Sequence, residues 1–328
     1  MEDRWKTVKL FTATLVGVEG LDLTISSNKL VSVHPFMWVV GLAMVVLGFG
    51  YVLYVLRHLE HVAELGEEGL GDRILLRLTL NGRLIKYLPA AGFLIVLGDV
   101  LYNIWTYRAL DIGTHDVVAL LFGFTLLVFN TVPEGFRKER NFVLYFSIAL
   151  FFILVVPLMT LRASGSQGES AVDAYSAAML AAPLAALLNA VGVHARAYGI
   201  YVEFELQAGG TATLGITTSC SGIYSFAIFS SAFLAFVIVD YQRFDRKAGA
   251  VMLLGVGAAY LANLLRMFII AYVGYLYDTP YNHLATLQWA HANVGWVLFL
   301  GWVTLFWWLI YRYLMKNRGV TVKYNQNM

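Results

Sequence analysis

Residues 249–275 have the sequence GAVMLLGVGAAYLANLLRMFIIAYVGY, in which Arg266 is the only charged residue. A bilayer core about 30 Å thick is crossed by about 20 helical residues, so this stretch is long and apolar enough to span a membrane. An arginine inside such a span costs about 3 kcal/mol or more and is retained where it has a function or a partner. The stretch therefore predicts a membrane protein with a site near Arg266.

The composition of the whole chain supports this prediction. Of 328 residues, 59% are hydrophobic and 13% are charged, against roughly 45–50% and 25% in soluble domains. An ordinary soluble globular protein is therefore excluded. The formal charge of +2 gives no reason to expect a nucleic-acid partner, and the single cysteine rules out an internal disulfide or a thiolate metal cluster. No cofactor or metal is indicated.

Seven stretches are long and apolar enough to be predicted spans. They cover residues 35–56, 87–107, 117–133, 142–161, 223–241, 249–275 and 291–311. Residues 10–25 form a weaker eighth, which Glu19 and Asp22 interrupt. Residues 171–193 are rich in Ala and Leu but contain Asp173, Pro183 and Asn189, so an interfacial or re-entrant helix is expected there. The predicted fold is an all-α polytopic membrane protein with seven to eight transmembrane helices.

A short β-hairpin is expected immediately before the fifth span. Residues 200–206 and 211–217 are rich in β-branched and aromatic side chains, and Gly209-Gly210 provides the turn between them. The hairpin leads directly to Cys220. The expected organisation is N-terminal spans over 1–139, a catalytic membrane domain over 140–315 and a cytoplasmic tail over 316–328.

The distribution of Lys and Arg predicts the orientation, because cytoplasmic loops retain these residues. Alternate segments between the spans hold 15 Lys and Arg in one set and 3 in the other. The basic set is 57–86, 134–141, 242–248 and 312–328, and the other set is 108–116, 162–221 and 276–290. Residues 162–221 are therefore expected outside the cell. The N-terminus, with Arg4, Lys6 and Lys9, fits the same rule only if residues 10–25 form the eighth span.

Three polar residues are expected to converge at the extracytoplasmic face. Cys220 opens the fifth span, His291 opens the seventh, and Arg266 lies about 27 Å along the sixth from its cytoplasmic start. A thiolate is a nucleophile, an imidazole can protonate a leaving amine, and a fixed guanidinium can stabilise an oxyanion. Asn263 lies three residues before Arg266, hence on the same helix face. His283 is the alternative to His291 for the imidazole role.

Structural roles compete with this interpretation. A single cysteine in a membrane protein is more often inert than catalytic, and a histidine at the end of a span is usually an interfacial residue. Asp99, with Asn103 one turn further on, is a candidate ion-pair partner for Arg266. A polytopic transporter or channel using Asp99, Asn103 and Arg266 is the second functional hypothesis, although no internal repeat supports it.

The ordered set of motifs resembles the exosortase/archaeosortase family. The motifs are residues 218–223, with the sequence TSCSGI, then 263–266, NLLR, and finally His291 with Gly295. The resemblance covers residues 140–312, and an archaeal branch is favoured. It implies a membrane cysteine protease and transpeptidase with Cys220, Arg266 and His291 as catalytic residues. Asn263, Ser221 and Gly222 are then expected to contact the substrate.

The same resemblance implies the partners. The expected substrates are secreted proteins with a C-terminal signal made of a short motif, a hydrophobic helix and a basic tail. The enzyme would cleave near the motif and transfer the new C-terminus through a thioester to an acceptor, which is expected to be a lipid.

Overall fold

The computed structural model describes residues 2–26, 36–58, 69–107, 113–163, 166–217, 220–279 and 281–312. Within these ranges the chain is helical apart from one small sheet. Its α-helices are α1 (Glu2–Ser26), α2 (Phe36–Arg57), α3 (Leu70–Leu78), α4 (Leu88–Tyr107), α5 (Thr114–Leu127), α6 (Arg137–Leu150), α7 (Val156–Ala163), α8 (Ser166–Ser176), α9 (Ala182–Ala190), α10 (Ile223–Phe236), α11 (Arg246–Tyr277) and α12 (Ala285–Ile310). Five-residue π-helical turns join α6 to α7 and α8 to α9.

Seven helical segments in the described part of the chain have the length and apolar composition needed to cross a membrane. They are Trp38–Arg57, Ile85–Trp105, Glu134–Leu161, Ala171–Ala190, Ile223–Tyr241, Arg246–Tyr277 and Ala285–Ile310. The chain is therefore an all-α polytopic membrane protein, as the sequence predicts. The weaker eighth segment, residues 10–25, lies within α1 but is not among these seven.

Six of the seven spans correspond to predicted ones, and one predicted span is exchanged for another. The predicted span 117–133 is replaced by α5, a helix of only 14 residues, about 21 Å long. It ends at Leu127 because the Asn130 side chain turns away and donates Nδ2–H to the Ile85 carbonyl at 3.1 Å. The expected interfacial segment instead contains Ala171–Ala190, which is long and apolar enough to span. One span is lost and one is gained ahead of Cys220.

The predicted hairpin is confirmed as part of a three-stranded antiparallel sheet. Strands β2 (Tyr201–Glu205) and β3 (Thr211–Gly215) match the predicted pair. Strand β1 (Ala195–Tyr198), which the sequence analysis did not predict, pairs with the other side of β2. The sheet order is β1-β2-β3.

The chain divides into two compact units. One contains residues 1–155 and 231–244, and the other contains residues 156–230 and 245–328. The expected division into residues 1–139, 140–315 and 316–328 stays a prediction, and the proposed tail lies largely outside the described residues.

Small residues allow close helix packing in the first unit. Gly92 on α4 lies directly against α5, so that a Cβ at this position would overlap the backbone at Gly123 and Leu127. Gly98 on the same helix faces open space, with no atom within 4 Å of a Cβ placed there. Membrane helices commonly use small residues to bring two backbones together.

The second unit has its own apolar core, which positions the sheet and the helices around Cys220. The core side chains come from α9, the three strands, α11 and the start of α12, with Leu188, Phe204 and Ile270 among the fully buried ones. The Gln207 backbone N–H donates to the Tyr275 carbonyl at 3.0 Å, which joins the sheet to the end of α11.

Gly92 and Gly98 give a direct test of the packing between α4 and α5. We expect Gly92→Ala to lower the free energy of unfolding by about 1–3 kcal/mol, because the added methyl meets rigid backbone. Gly98→Ala is the matched control and is expected to be neutral or stabilising by up to about 1 kcal/mol. Thermal unfolding in detergent, followed by circular dichroism, measures both. Equal stability of the two variants would contradict the close contact.

Candidate active site

Cys220 lies in a tight turn between β3 and α10. The backbone N–H groups of Cys220 and Ser221 both donate to the Thr217 carbonyl, each at 2.9 Å. Gly222 then has a φ of +80°, a conformation that glycine adopts without steric cost. The chain therefore passes from Cys220 into α10 within three residues. Cys220 itself is half-buried and forms no disulfide.

Asn263 on α11 holds this turn in place. Its side-chain Nδ2 donates to the Cys220 carbonyl oxygen at 3.2 Å, and the residue is almost fully buried. A Cβ at position 222 would lie 2.9 Å from Asn263 Cγ and Nδ2. Gly222 is thus required twice, by its backbone conformation and by the approach of Asn263.

His291 is the histidine that meets the thiol. Its Nε2 atom lies 3.9 Å from Cys220 Sγ, which is within the looser range found in ligand-free nucleophile–base pairs. His291 lies on the second turn of α12. His283, the alternative in the sequence analysis, precedes this helix with an exposed side chain, and its carbonyl accepts a hydrogen bond from Gln288.

Arg266 lies one turn after Asn263 on α11, and its side chain packs against α12 at Gly295. A Cβ at Gly295 would be 2.8 Å from Arg266 Nε and 2.9 Å from its Cζ, so any larger residue there would displace the guanidinium from this position. Gly295 is four residues after His291, hence on the same face of α12. The guanidinium therefore lies against α12 one helical turn from the residue that carries the imidazole.

Two buried donors near this position have no hydrogen-bond partner in the described part of the chain. They are Arg266 Nε and Trp302 Nε1. Both residues line a small cavity of about 40 Å³, a volume that can hold water. Arg266 is half-buried among apolar helices, and a cation in such surroundings interacts more strongly than in water with a negative charge that enters, because the local dielectric constant is lower.

A larger apolar cavity of about 330 Å³ adjoins the turn on its other side. The wall next to the cysteine is formed by Ser221, Gly222 and Asn263. Another part of the wall is formed by Gly257 and Tyr260, which precede Asn263 on α11. Ser221 is buried, and its Oγ accepts the Ile223 N–H at 3.4 Å. The three residues expected from the sequence to contact substrate thus line one cavity beside Cys220.

Sequence reasoning missed Asp278, which fixes the start of α12. Its Oδ1 accepts the Thr286 N–H and its Oδ2 accepts the Leu287 N–H, both at 2.9 Å, and Asn282 Nδ2 donates to Oδ1 at the same distance. Burial alone would raise the pKa of Asp278, but these hydrogen bonds outweigh it and hold the pKa below its ordinary value. An acidic residue shortly before an apolar helix is the signal that could have identified it.

Two of the three residues of the transporter hypothesis, Asp99 and Asn103, lie in the first unit, whereas Arg266 belongs to the second. Asn103 Nδ2 donates to Asp116 Oδ1 at 3.0 Å and also to the Asp99 carbonyl at 3.1 Å. Asp116 Oδ2 in turn accepts the Gly113 N–H at 2.6 Å, at the start of α5. Asn103 therefore joins α4 to α5. Among the described residues, no group of three His, Cys, Asp or Glu side chains is placed to hold a metal ion.

These features define a multi-pass membrane protein with a thiol just before α10, an imidazole on the second turn of α12 and a guanidinium in the interior of α11. A family model described as transmembrane exosortase matches residues 21–308, which is most of the chain. The protein belongs to the exosortase family, whose members are membrane cysteine transpeptidases that process C-terminal sorting signals of secreted proteins. Neither a curated protein nor a solved structure matches the chain.

The carboxylate of Asp278 gives a pH-dependent test of the site's support. Because its pKa is lower in the folded state, the ionised group stabilises the fold above the unfolded pKa of about 3.9. That contribution is lost as the pH falls through the folded pKa. We expect Asp278→Ala to lower stability at pH 7 by about 1 kcal/mol, the usual effect of losing a helix cap.

The measurement is the thermal midpoint in detergent from pH 7 down to pH 2. The difference between Asp278→Ala and the unmodified protein should be largest near neutral pH and shrink below pH 4. Asp173→Ala, which removes an exposed carboxylate from α8, is the control and should match the unmodified protein throughout. A difference that stays constant with pH would show that the ionised carboxylate is not what holds α12.

Proposed function

We propose that this exosortase uses Cys220 as its nucleophile, His291 as its general base and acid, and Arg266 to stabilise the oxyanion. The observation that carries the proposal is the contact of 3.9 Å between Cys220 Sγ and His291 Nε2. Asn263 and the two glycines, Gly222 and Gly295, are proposed to set the positions of these three side chains.

The proposed reaction has two steps. His291 takes the proton of the Cys220 thiol, and the thiolate attacks the carbonyl carbon of the scissile peptide bond. Arg266 faces the negative charge that develops on the carbonyl oxygen, where a preorganised donor is worth about 3 kcal/mol. The C–N bond then breaks, His291 protonates the leaving amine, and the upstream part of the substrate remains as a thioester on Cys220.

In the second step an acceptor attacks the thioester carbon. The acceptor hydroxyl or amine gives its proton to His291, the C–S bond breaks, and the Cys220 thiol is restored by that proton. We propose that the acceptor is a lipid. What supports this is the apolar cavity of about 330 Å³ beside Ser221 and Gly222, which suits an apolar chain better than water.

We propose further that the site faces the extracytoplasmic side and accepts secreted proteins with a motif, a hydrophobic helix and a basic tail. Four spans precede Cys220 both in the sequence prediction and in the structure. Counted from the basic segment 57–86, Cys220 therefore keeps the same side of the membrane, although one of the four spans is different. A substrate anchored by its helix presents the scissile bond at a fixed depth, which raises its effective concentration at the thiol.

Replacement of the thiol tests the nucleophile. We expect Cys220→Ala and Cys220→Ser to abolish processing of an epitope-tagged tripartite-signal protein from the same organism, with enzyme levels unchanged, because neither variant can form the thioester. Immunoblotting of cell fractions measures processing. Mass spectrometry of the new C-terminus in the unmodified strain distinguishes a lipid adduct from a free acid. Continued processing by Cys220→Ala would refute the proposal.

The two histidines can be separated by thiol reactivity. Since Cys220 is the only cysteine, a membrane-impermeant maleimide added to intact cells reports on this thiol alone. We expect His291→Ala to slow labelling at pH 7 at least tenfold, because the imidazole promotes thiolate formation. His283→Ala, the matched control, should label at the unmodified rate. Equal rates in both variants would contradict the role of His291, and labelling only after membrane disruption would contradict the proposed side.

A further inference from the structure

The small sheet has two outer edges, one on β1 and one on β3, and their backbone groups differ in what they bind. In an antiparallel ladder, alternate residues direct both N–H and C=O toward the neighbouring strand, and the residues between them direct both groups outward. The Ile216 N–H donates to Ile200 O, and the Leu206 N–H donates to Gly210 O. With the register of β2 and β3, these bonds direct Thr211, Thr213 and Gly215 to the outer edge.

The edge on β1 is closed by a side chain. The Ala195 N–H donates to Asn189 Oδ1 at 3.0 Å, and Asn189 Nδ2 donates to the Ala195 carbonyl at 2.8 Å. The Asn189 amide thus occupies both hydrogen-bonding groups of Ala195, as a neighbouring strand would. The Glu205 N–H donates to His194 O, so His194 faces β2 and alternate β1 residues after it do the same. Ala197 is therefore the other β1 residue whose backbone N–H and C=O point outward.

The edge on β3 is open. In the described part of the chain, no residue bonds the outward N–H and C=O groups of Thr211, Thr213 and Gly215. The two threonines are exposed. The strand sequence, TATLG, contains no charge and no proline, the two commonest means of protecting a strand edge from pairing. The strand has five residues, three of them with outward backbone groups, and presents an edge about 16 Å long.

This open edge leads to the nucleophile. Gly215 ends β3, and Cys220 follows five residues later, at the start of the turn into α10. A peptide held along β3 would therefore reach the thiol by continuing in the same direction. A substrate whose hydrophobic helix follows its cleavage site runs toward the membrane from N- to C-terminus, as β3 and α10 do. The two chains would be parallel.

We propose that β3 binds the extended substrate segment upstream of the scissile bond as a fourth, parallel strand of the sheet. This inference rests on the proposed function of Cys220. Backbone hydrogen bonds to Thr211, Thr213 and Gly215 hold the segment, and they fix how many residues separate it from the thiol. Recognition by this edge depends on an extended backbone more than on particular side chains, so it tolerates variation in the motif.

A proline placed in the edge tests the pairing. Thr213→Pro removes an outward N–H and puts a ring in the path of an added strand, while the ladder to β2 keeps all its bonds. Ala197→Pro makes the same change at the outer edge of β1 and is the matched control. We expect Thr213→Pro to reduce the rate of processing of the tagged tripartite-signal protein at least tenfold, and Ala197→Pro to change it less than twofold.

Maleimide labelling of Cys220 separates a damaged site from a blocked edge. Labelling of Thr213→Pro at the unmodified rate, together with slow processing, is the expected result. Normal processing by Thr213→Pro while Cys220→Ala is inactive would overturn the edge proposal and leave the nucleophile intact. Processing by Cys220→Ala would instead remove the proposed function on which the edge depends.

Disulfide trapping identifies the occupant. In the double variant Cys220→Ala, Thr213→Cys, the new thiol is the only one in the chain, and it is paired with single cysteines introduced at successive positions of the substrate. We expect a disulfide with alternate substrate positions upstream of the cleavage site, following the two-residue period of a strand. A disulfide that links two enzyme copies, with none to substrate, would show that the edge pairs with a second copy and would overturn the proposal.

Discussion

The hydrogen bond from Asn263 to the Cys220 carbonyl is the interaction on which the site depends. It joins the turn, in which the Cys220 and Ser221 N–H groups bond the Thr217 carbonyl, to the longest helix of the described chain. Because α11 also carries Arg266, the same helix fixes both the nucleophile's backbone and the cation. A buried amide that lost this carbonyl would leave polar groups unsatisfied, which costs about 1–3 kcal/mol. The turn is therefore held in one position relative to the guanidinium.

Two glycines make this arrangement sterically feasible. Gly222 lets the backbone turn next to Asn263, and Gly295 lets the guanidinium approach α12 one turn after His291. Neither glycine carries chemistry, but each determines how closely a functional side chain can approach. Among the described residues, Arg266 is positioned by its packing against Gly295 and not by an ion pair, which keeps its charge available to an anion in the site. An ion pair with a carboxylate would orient the same side chain and neutralise part of that charge.

The sequence predicts the parts of this structure that depend on local properties. Hydropathy and length identify most of the spans, and Gly209-Gly210 identifies the hairpin of β2 and β3. Helix lengths alone indicate that Cys220 and the region containing His283 and His291 lie near each other. What the sequence could not predict depends on contacts between distant residues: α5 ends early because Asn130 bonds Ile85, and the four-residue strand β1 forms because β2 offers it a partner. The choice between His283 and His291 needed the first residue of α12, which Asp278 sets from outside the helix.

The anchoring of α12 at Leu287 fixes the position of His291 along and around the helix. His291 follows Leu287 by four residues, or about one helical turn. It therefore lies about 6 Å further along α12, on nearly the same face of the helix. One residue inserted between them would rotate the imidazole by about 100° and carry it away from the thiol. Insertions beyond Gly295 leave that spacing unchanged. The length of α12 can therefore change at the end remote from Asp278 without moving the imidazole away from the thiol.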